Sequence, residues 1–252
     1  AQGREQLQKT EQNIKFWFCP TVYNDHFMTK DNAARYLDDL ALYMPENTMI
    51  LWTGTNVISK KISSDSIKDV VKLFGNNVCI WDNIYANDYC PGRLFTGPYI
   101  NRSADLQKTT SGILLNPTGL LHTDIFLLSL LAGYVNKTNP KKAWQSIASK
   151  LPVAKELKII APFLNIPCST IAKANLTPRY LKLVHEALEK MIWEWKSPLQ
   201  REWYPFLYML DCNIKLWNNK ADKENELWIK KKYPPVLADI LFAHIQHPIL
   251  HN

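Results

Sequence analysis

The sequence predicts an α/β fold on a parallel sheet, followed by an all-α region. Three observations predict it. Short apolar segments recur roughly every 30 residues, the size of a β-strand plus its crossover helix. Amphipathic helical patterns fill the gaps between them. Beyond Asn139-Pro140, strand-like runs give way to helical periodicity alone.

The expected strands are Ile14–Cys19, Thr48–Trp52, Val78–Trp81 and Gly112–Leu115. Near-continuous apolar runs of this kind are buried on both faces, which argues for parallel pairing. After the first comes "DNAARYLDDLALYM", whose spacing puts Ala34, Leu37, Leu40, Ala41 and Met44 on one face. "SSDSIKDVVKLFG" opens on capping serines, buries Ile67, Val70, Val71 and Phe74, and stops at Gly75. The apolar stretch from Thr123 to Val135 reads as a buried helix. From Pro140 onward, helices are expected over Lys141–Leu151, Val153–Leu164, Pro178–Trp195, Leu199–Trp217 and Pro235–Ile245. They suggest a helical bundle as a second domain, giving 1–139 and 140–252.

Composition narrows the function classes. No apolar run reaches the roughly 18 residues that would span a bilayer. The five cysteines form no CxxC pair and read as free thiols in a reducing compartment. Lys+Arg and Asp+Glu balance at 13 each over 1–139, whereas 140–252 carries 17 against 10, so the whole net charge of +7 lies there. The basic run "WIKKKYPP" reads as a solvated helix end, and His244 and His247 as a surface pair rather than metal ligands.

The candidate chemistry sits where the strands end. The four runs finish in Pro20-Thr21 and Tyr23, in Trp52-Thr53-Gly54, in Asp82-Asn83 and in Asn116-Pro117. Polar groups at the carboxyl ends of successive parallel strands suit the active face of an α/β barrel or the crevice of a doubly wound sheet. No phosphate-binding glycine fingerprint follows any strand. The stretch "VCIWDNIYANDYCPGRLFTGPY" adds Trp81 as a pocket floor, Asn83 and Asp88 as hydroxyl partners, and Tyr85, Tyr89 and Tyr99 as stacking faces. Rings with amides and a carboxylate suit a sugar. A long turn with Asx caps, its aromatics covering the sheet edge, suits the same residues.

Four ordered motifs carry a resemblance: "FWFCPTVY", "LWTGTNVISKKISSDSI", "VCIWDNIYANDYCPGRLFTGPYINRSADL" and "GILLNP". Together, over Ile14 to Val135, they resemble glycoside hydrolase family eighty-four, which holds O-GlcNAcases and bacterial β-N-acetylglucosaminidases. The animal members look nearest. The resemblance implies the carboxy-terminal half of a (β/α)8 TIM barrel, followed by a stalk-like helical region. It implies retaining hydrolysis of β-linked N-acetylglucosamine in which the substrate's acetamide oxygen attacks the anomeric carbon to form an oxazoline, outside the two-carboxylate scheme. By matching motif, Tyr23 supports the reacting geometry, Trp81 walls the acetamide pocket, and Asn83, Asp88 and Asn116 bind the sugar. It also implies no metal or organic cofactor, O-GlcNAc-modified proteins as substrates, a homodimer contact through the helices, and a cytoplasmic or nuclear setting without nucleic acid or membrane partners.

One departure is large. The family's catalytic pair is two adjacent aspartates upstream of F-C-P-T, and residues 1–15 contain no Asp. The resemblance thus implies an acid/base aspartate pair upstream of Ala1 and no catalytic carboxylate within this segment. The adjacent pair present, Asp38-Asp39, falls in an expected helix and reads as a solvated face. Val22 and Cys90 stand where animal members carry acidic residues. The chain therefore reads as a fragment of a longer hydrolase, expected to be inactive alone; a truncated, non-catalytic GlcNAc- or glycoprotein-binding module is the alternative.

Overall fold

The computed structural model describes residues 16–28, 32–45, 48–90, 92–167, 169, 171 and 175–217. They form two compact units, one from residues up to 84 with 100–116, the other from 85–99 with 117 onward. Ala1, ahead of which the aspartate pair is expected, lies outside the described residues. So do the expected helix over Pro235–Ile245, the basic run, His244 and His247.

In the first unit the strands are β1 (Trp17–Phe18), β2 (Met49–Trp52), β3 (Val78–Asp82) and β4 (Gly112–Leu115). All pair parallel in the order β1-β2-β3-β4. Helices α1 (Asp25–Met28), α2 (Ala33–Tyr43), α3 (Lys68–Phe74) and α4 (Leu106–Thr109) alternate with them. The core lies where α2 and α3 meet one sheet face: Leu37, Trp52, Ile67, Val70, Val78 and Ile80 share one buried cluster. Because side chains alternate across a strand, Cys79 and Trp81 point the opposite way, beside Leu51 and Leu114 respectively.

The inward face of α2 is rotated from the expected one. Ala33 and Leu37 are buried, Leu40, Ala41 and Met44 are half-buried, and Ala34 is exposed. Positions 33, 37, 40 and 44 follow one helical stripe, and Ala34 lies about 100° off it. Ahead of α3, Ser63 and Ser66 cap one another: each hydroxyl oxygen accepts the other's backbone N–H, at 2.9 and 3.3 Å. Gly75, at φ 60°, ends that helix in a conformation L side chains resist.

The carboxylate of Asp25 on α1 tests how this core is packed. Burial pushes its pKa up, the nearby Asp69 charge adds to the rise, and the Trp52 indole opposes it; the outcome is about 6. An acid that holds its proton more tightly when folded weakens the fold as pH rises from 3.8 through 6. Asp25→Asn should therefore melt higher than the parent at pH 7.5 and coincide with it near pH 4. A melting-temperature difference independent of pH would refute this account.

In the second unit the helices are α5 (Leu121–Val135), α6 (Pro140–Ala148), α7 (Ala154–Ile160), α8 (Pro178–Glu189) and α9 (Pro198–Trp217). A 3-10 turn, Ala161–Leu164, extends α7, and a π turn, Lys190–Glu194, extends α8. Three helices start on the same device, a polar cap followed by proline at the first helical position. The side chain of Asn139 accepts from the N–H groups of Lys141 and Lys142. Thr177 accepts from Tyr180, and Ser197 from Gln200. The expected burial of α5 holds on one side only. Phe126, Leu127, Leu130 and Tyr134 are buried, while Leu121, Ile125, Leu128 and Val135 are exposed. Among the described residues no helix is long and apolar enough to cross a membrane.

Candidate functional site

The carboxyl ends of β1 to β4 are stitched together by the motif residues themselves. Beyond β1, the Tyr23 carbonyl accepts the N–H of Thr53 at 2.9 Å and its hydroxyl at 3.3 Å. The N–H groups of Asp25 and His26 donate to Gly54 and Thr55, each at 3.0 Å. After β2 the chain turns at Gly54, φ 93°, where a Cβ would sit 2.7 Å from the Ser59 hydroxyl. That hydroxyl donates to the Thr53 carbonyl at 2.7 Å and closes the turn.

The end of β3 is held by a buried ion pair. Both side chains of Asp82 and Arg102 are 1% exposed. Arg102 donates Nε to Oδ2 at 2.7 Å and Nη2 to Oδ1 at 2.6 Å, the bidentate fork that suits a guanidinium to a carboxylate. Its remaining N–H groups reach the carbonyls of Ser59 and Ile100. Arg102 arrives there because Ile62 bridges the chain beside it and Asn101 takes φ 63°. Asp82 Oδ1 also accepts the N–H of Ile84, which bends the backbone straight after the strand. The residue inside that bend is Asn83.

Asn83 is gripped from two sides. Its Nδ2 donates to the Val57 carbonyl at 2.7 Å, and its Oδ1 accepts from Asn116 Nδ2 at 3.0 Å. Thus Val57 of the second motif, Asn83 of the third and Asn116 of the fourth form one amide chain across the strand ends. Each amide nitrogen still has a second hydrogen to give a ligand. Trp81 is half-buried one residue before Asp82, and Tyr23 is half-buried with its ring edge-on to Phe27, centroids 5.1 Å apart.

Of the expected site residues, the structure brings Asn83 and Asn116 into contact and ties Tyr23 to the neighbouring strand end through its carbonyl. Asp88 lies in the second compact unit, exposed, with Oδ1 accepting the N–H of Tyr89. Two of the expected stacking rings are core residues instead: Tyr85 and Tyr99 are 0% and 2% exposed. Tyr85 donates its hydroxyl to the Gly97 carbonyl, and Tyr99 packs edge-on against Tyr134. Tyr89 stays half-exposed, stacked on Phe95. Asp82 and Arg102 are the positioning residues that motif reading left without a role. An aspartate closing an apolar strand was the available signal, because such a carboxylate needs a buried cation.

Asp38 and Asp39 do not stand in for the acid/base pair expected upstream of Ala1. Both are exposed on α2, with Asp39 3.9 Å from Arg35 across one helical turn. Val22 and Cys90, at positions where a carboxylate was expected, are buried. Burial pushes the thiols of Cys79 and Cys90 up, away from the thiolate a nucleophile needs. Cys19, Cys79 and Cys90 are free thiols. Among the described residues, His185, Glu189 and Asp211 bring three donor atoms within 4.8 Å of one another. Asp211 is already engaged there, by His185 Nδ1 and Lys215 Nζ at 2.7 Å each.

Residues 2–163 match the model of the NAGidase family, described as beta-N-acetylglucosaminidase, and so cover well over half of the chain. The chain belongs to the β-N-acetylglucosaminidase family. Protein O-GlcNAcase of Mus musculus is 42% identical to it over 103 residues, which is 40% of this chain and 11% of the mouse protein. The Rattus norvegicus protein matches over the same lengths at the same identity. The chain thus aligns with about a ninth of either rodent protein. A mutant O-GlcNAc hydrolase of Thermobaculum terrenum has a similar fold, with TM-score 0.69 and 22% identity over 96% of this chain and 63% of that one. Within the stretch that matches this family, Tyr23, Thr53, Asp82, Asn83, Arg102 and Asn116 are the residues that sew the strand ends together.

Proposed function

We propose that the chain is part of a retaining glycosidase that removes O-linked N-acetylglucosamine from Ser/Thr of proteins. Residues 1–139 are the carboxy-terminal half of a (β/α)8 barrel, and 140–252 a stalk-like helical region. Tyr23, Trp81, Asn83, Asp88 and Asn116 contact the sugar and its acetamide. The observation that carries this reading is the Asn83–Asn116 amide pair at adjacent strand ends of a family member. In substrate-assisted catalysis the acetamide oxygen attacks the anomeric carbon and expels the serine or threonine oxygen. Groups that fix the acetamide lower the barrier by orientation. The adjacent aspartates this chemistry needs are not offered by these 252 residues, whose Asp38-Asp39 pair is exposed on α2. Homodimer contacts through the helices and a cytoplasmic or nuclear setting complete the proposal, the latter supported by the free thiols of Cys19, Cys79 and Cys90.

The test is hydrolysis of p-nitrophenyl β-N-acetylglucosaminide. Residues 1–252 alone should show no turnover above background. Joined behind a half-barrel bearing the Asp-Asp pair, they should turn it over, and Asn83→Ala or Asn116→Ala should then cost about a hundredfold in kcat/KM. Full activity of the isolated chain would overturn the assignment of the acid, and neutral asparagine variants would overturn the site. The amide pair without its aspartates also favours a second reading, a non-catalytic GlcNAc-binding module. Calorimetry with N-acetylglucosamine and the isolated chain separates the two, since only a module binds as it stands.

A further inference from the structure

The second unit contains a cavity of about 340 Å³ whose lining includes Gly97, Pro98, Lys141, Trp144, Lys158 and Asn165. Its construction explains the "RLFTGPY" motif. The Thr96 N–H donates to the Leu164 carbonyl at 2.7 Å, and Trp144 Nε1 donates to the Thr96 carbonyl at 2.7 Å. A Cβ on Gly97 would lie 2.3 Å from the Asn165 side-chain oxygen, so only glycine lets the loop pass there. Trp144 has its N–H spent on that carbonyl and offers the cavity an apolar surface, which Pro98 extends.

The charge around this hollow is one-sided. Lys141 and Lys158 are exposed at its edge, and among the described residues neither is in an ion pair. Residues 137–160 hold six lysines and one acid, Glu156, whose carboxylate is 3.3 Å from Lys190. Two free ammonium groups over an apolar floor, in a space the size of a few side chains, complement an anionic side chain borne on a peptide. An extended nucleic-acid backbone instead wants a long track of cations, whereas only two lysines line this open pocket.

We propose that this cavity is a docking site for an acidic stretch of a partner polypeptide, with Lys141 and Lys158 holding its carboxylate. The site stands independently of the glycosidase reading. The carboxylate sits at the two ammonium groups, and the flanking residues pack on Trp144 and Pro98. Two ammonium groups that line one pocket hold an anion better than neighbouring lysines that do not line it.

The test is fluorescence anisotropy of a fluorescein-labelled oligoglutamate peptide, its phosphoserine counterpart and a glutamine control, with the 252-residue chain. Lys141→Glu with Lys158→Glu should weaken the anionic peptides about tenfold or more, whereas Lys150→Glu with Lys155→Glu should cost at most about threefold. Both pairs reverse the same charge on exposed side chains, and circular dichroism checks the fold. Should the reversed pair misfold, Lys141→Gln with Lys158→Gln takes its place. Tighter binding of oligoglutamate than of the glutamine control supports the site, and binding of the phosphoserine peptide alone would overturn it. Equal losses in the two lysine pairs, binding of the glutamine control, or tighter binding of an oligouridylate would each overturn it.

Discussion

Arg102→Ala is expected to destabilise the fold by about 3–5 kcal/mol, because it leaves the Asp82 carboxylate buried without its counter-charge. Losing the pair is worse than never having had it. Asp82 is 1% exposed, so water cannot replace the guanidinium without opening the strand ends. The carbonyls of Ser59 and Ile100 lose their donor in the same step. Replacing both partners, Asp82→Asn with Arg102→Met, should cost distinctly less than Arg102→Ala, since it removes the buried charge. Arg102→Lys should not rescue, because an ammonium cannot form the two-pronged contact. Urea unfolding followed by circular dichroism measures all three. A loss under about 1 kcal/mol for Arg102→Ala would show that the buried Asp82 side chain does not depend on this partner. The same variant should loosen the Asn83–Asn116 contact, since the bend that presents Asn83 hangs on Asp82 Oδ1.

The second large effect is expected at Trp203 on α9. Its ring is 0% exposed and lies edge-on to Phe126 and Trp195, with centroids 5.9 Å away in each case. Its Nε1 donates to the Thr123 hydroxyl oxygen at 3.0 Å. That hydroxyl donates in turn to Glu202, whose carboxylate also accepts the N–H groups of His122 and Thr123 at the start of α5. Trp203→Ala should therefore cost about 3–5 kcal/mol from the cavity alone, a large share of a domain's stability. Trp203→Phe keeps most of the ring contact and loses the N–H, so its cost should fall to about 1–2 kcal/mol. Chemical denaturation orders the three proteins. Equal losses for the alanine and phenylalanine variants would assign the effect to the hydrogen bond rather than to packing.

The elements were legible because their signals are local. An apolar run of four or five residues and a serine pair before an amphipathic stretch each act within a few residues of where they stand. Asn83 and Asn116 could be named from their motifs, yet their mutual hydrogen bond could not, since it spans 33 positions. Arg102 was invisible for a similar reason: its meeting with Asp82 depends on a left-handed residue at Asn101 and on a bridge to Ile62. Tyr85 and Tyr99 show the opposite failure. A cluster of rings beside amides looks like a sugar platform whether the rings face a ligand or each other, and composition carries no direction.

The stretch Tyr85–Tyr99 leaves one unit for the other and comes back, although both strands beside it belong to the first. Its polar anchors, Trp144 and Leu164, are encoded well downstream of the point where helices take over from strands. A ribosome that has just released β4 has thus made a hairpin excursion whose landing site does not yet exist. Cutting the gene after Asn139 would strand that excursion for good. The stretches before and after Asn139 consequently share hydrogen bonds that such a cut would sever, however different their secondary structure looks on paper.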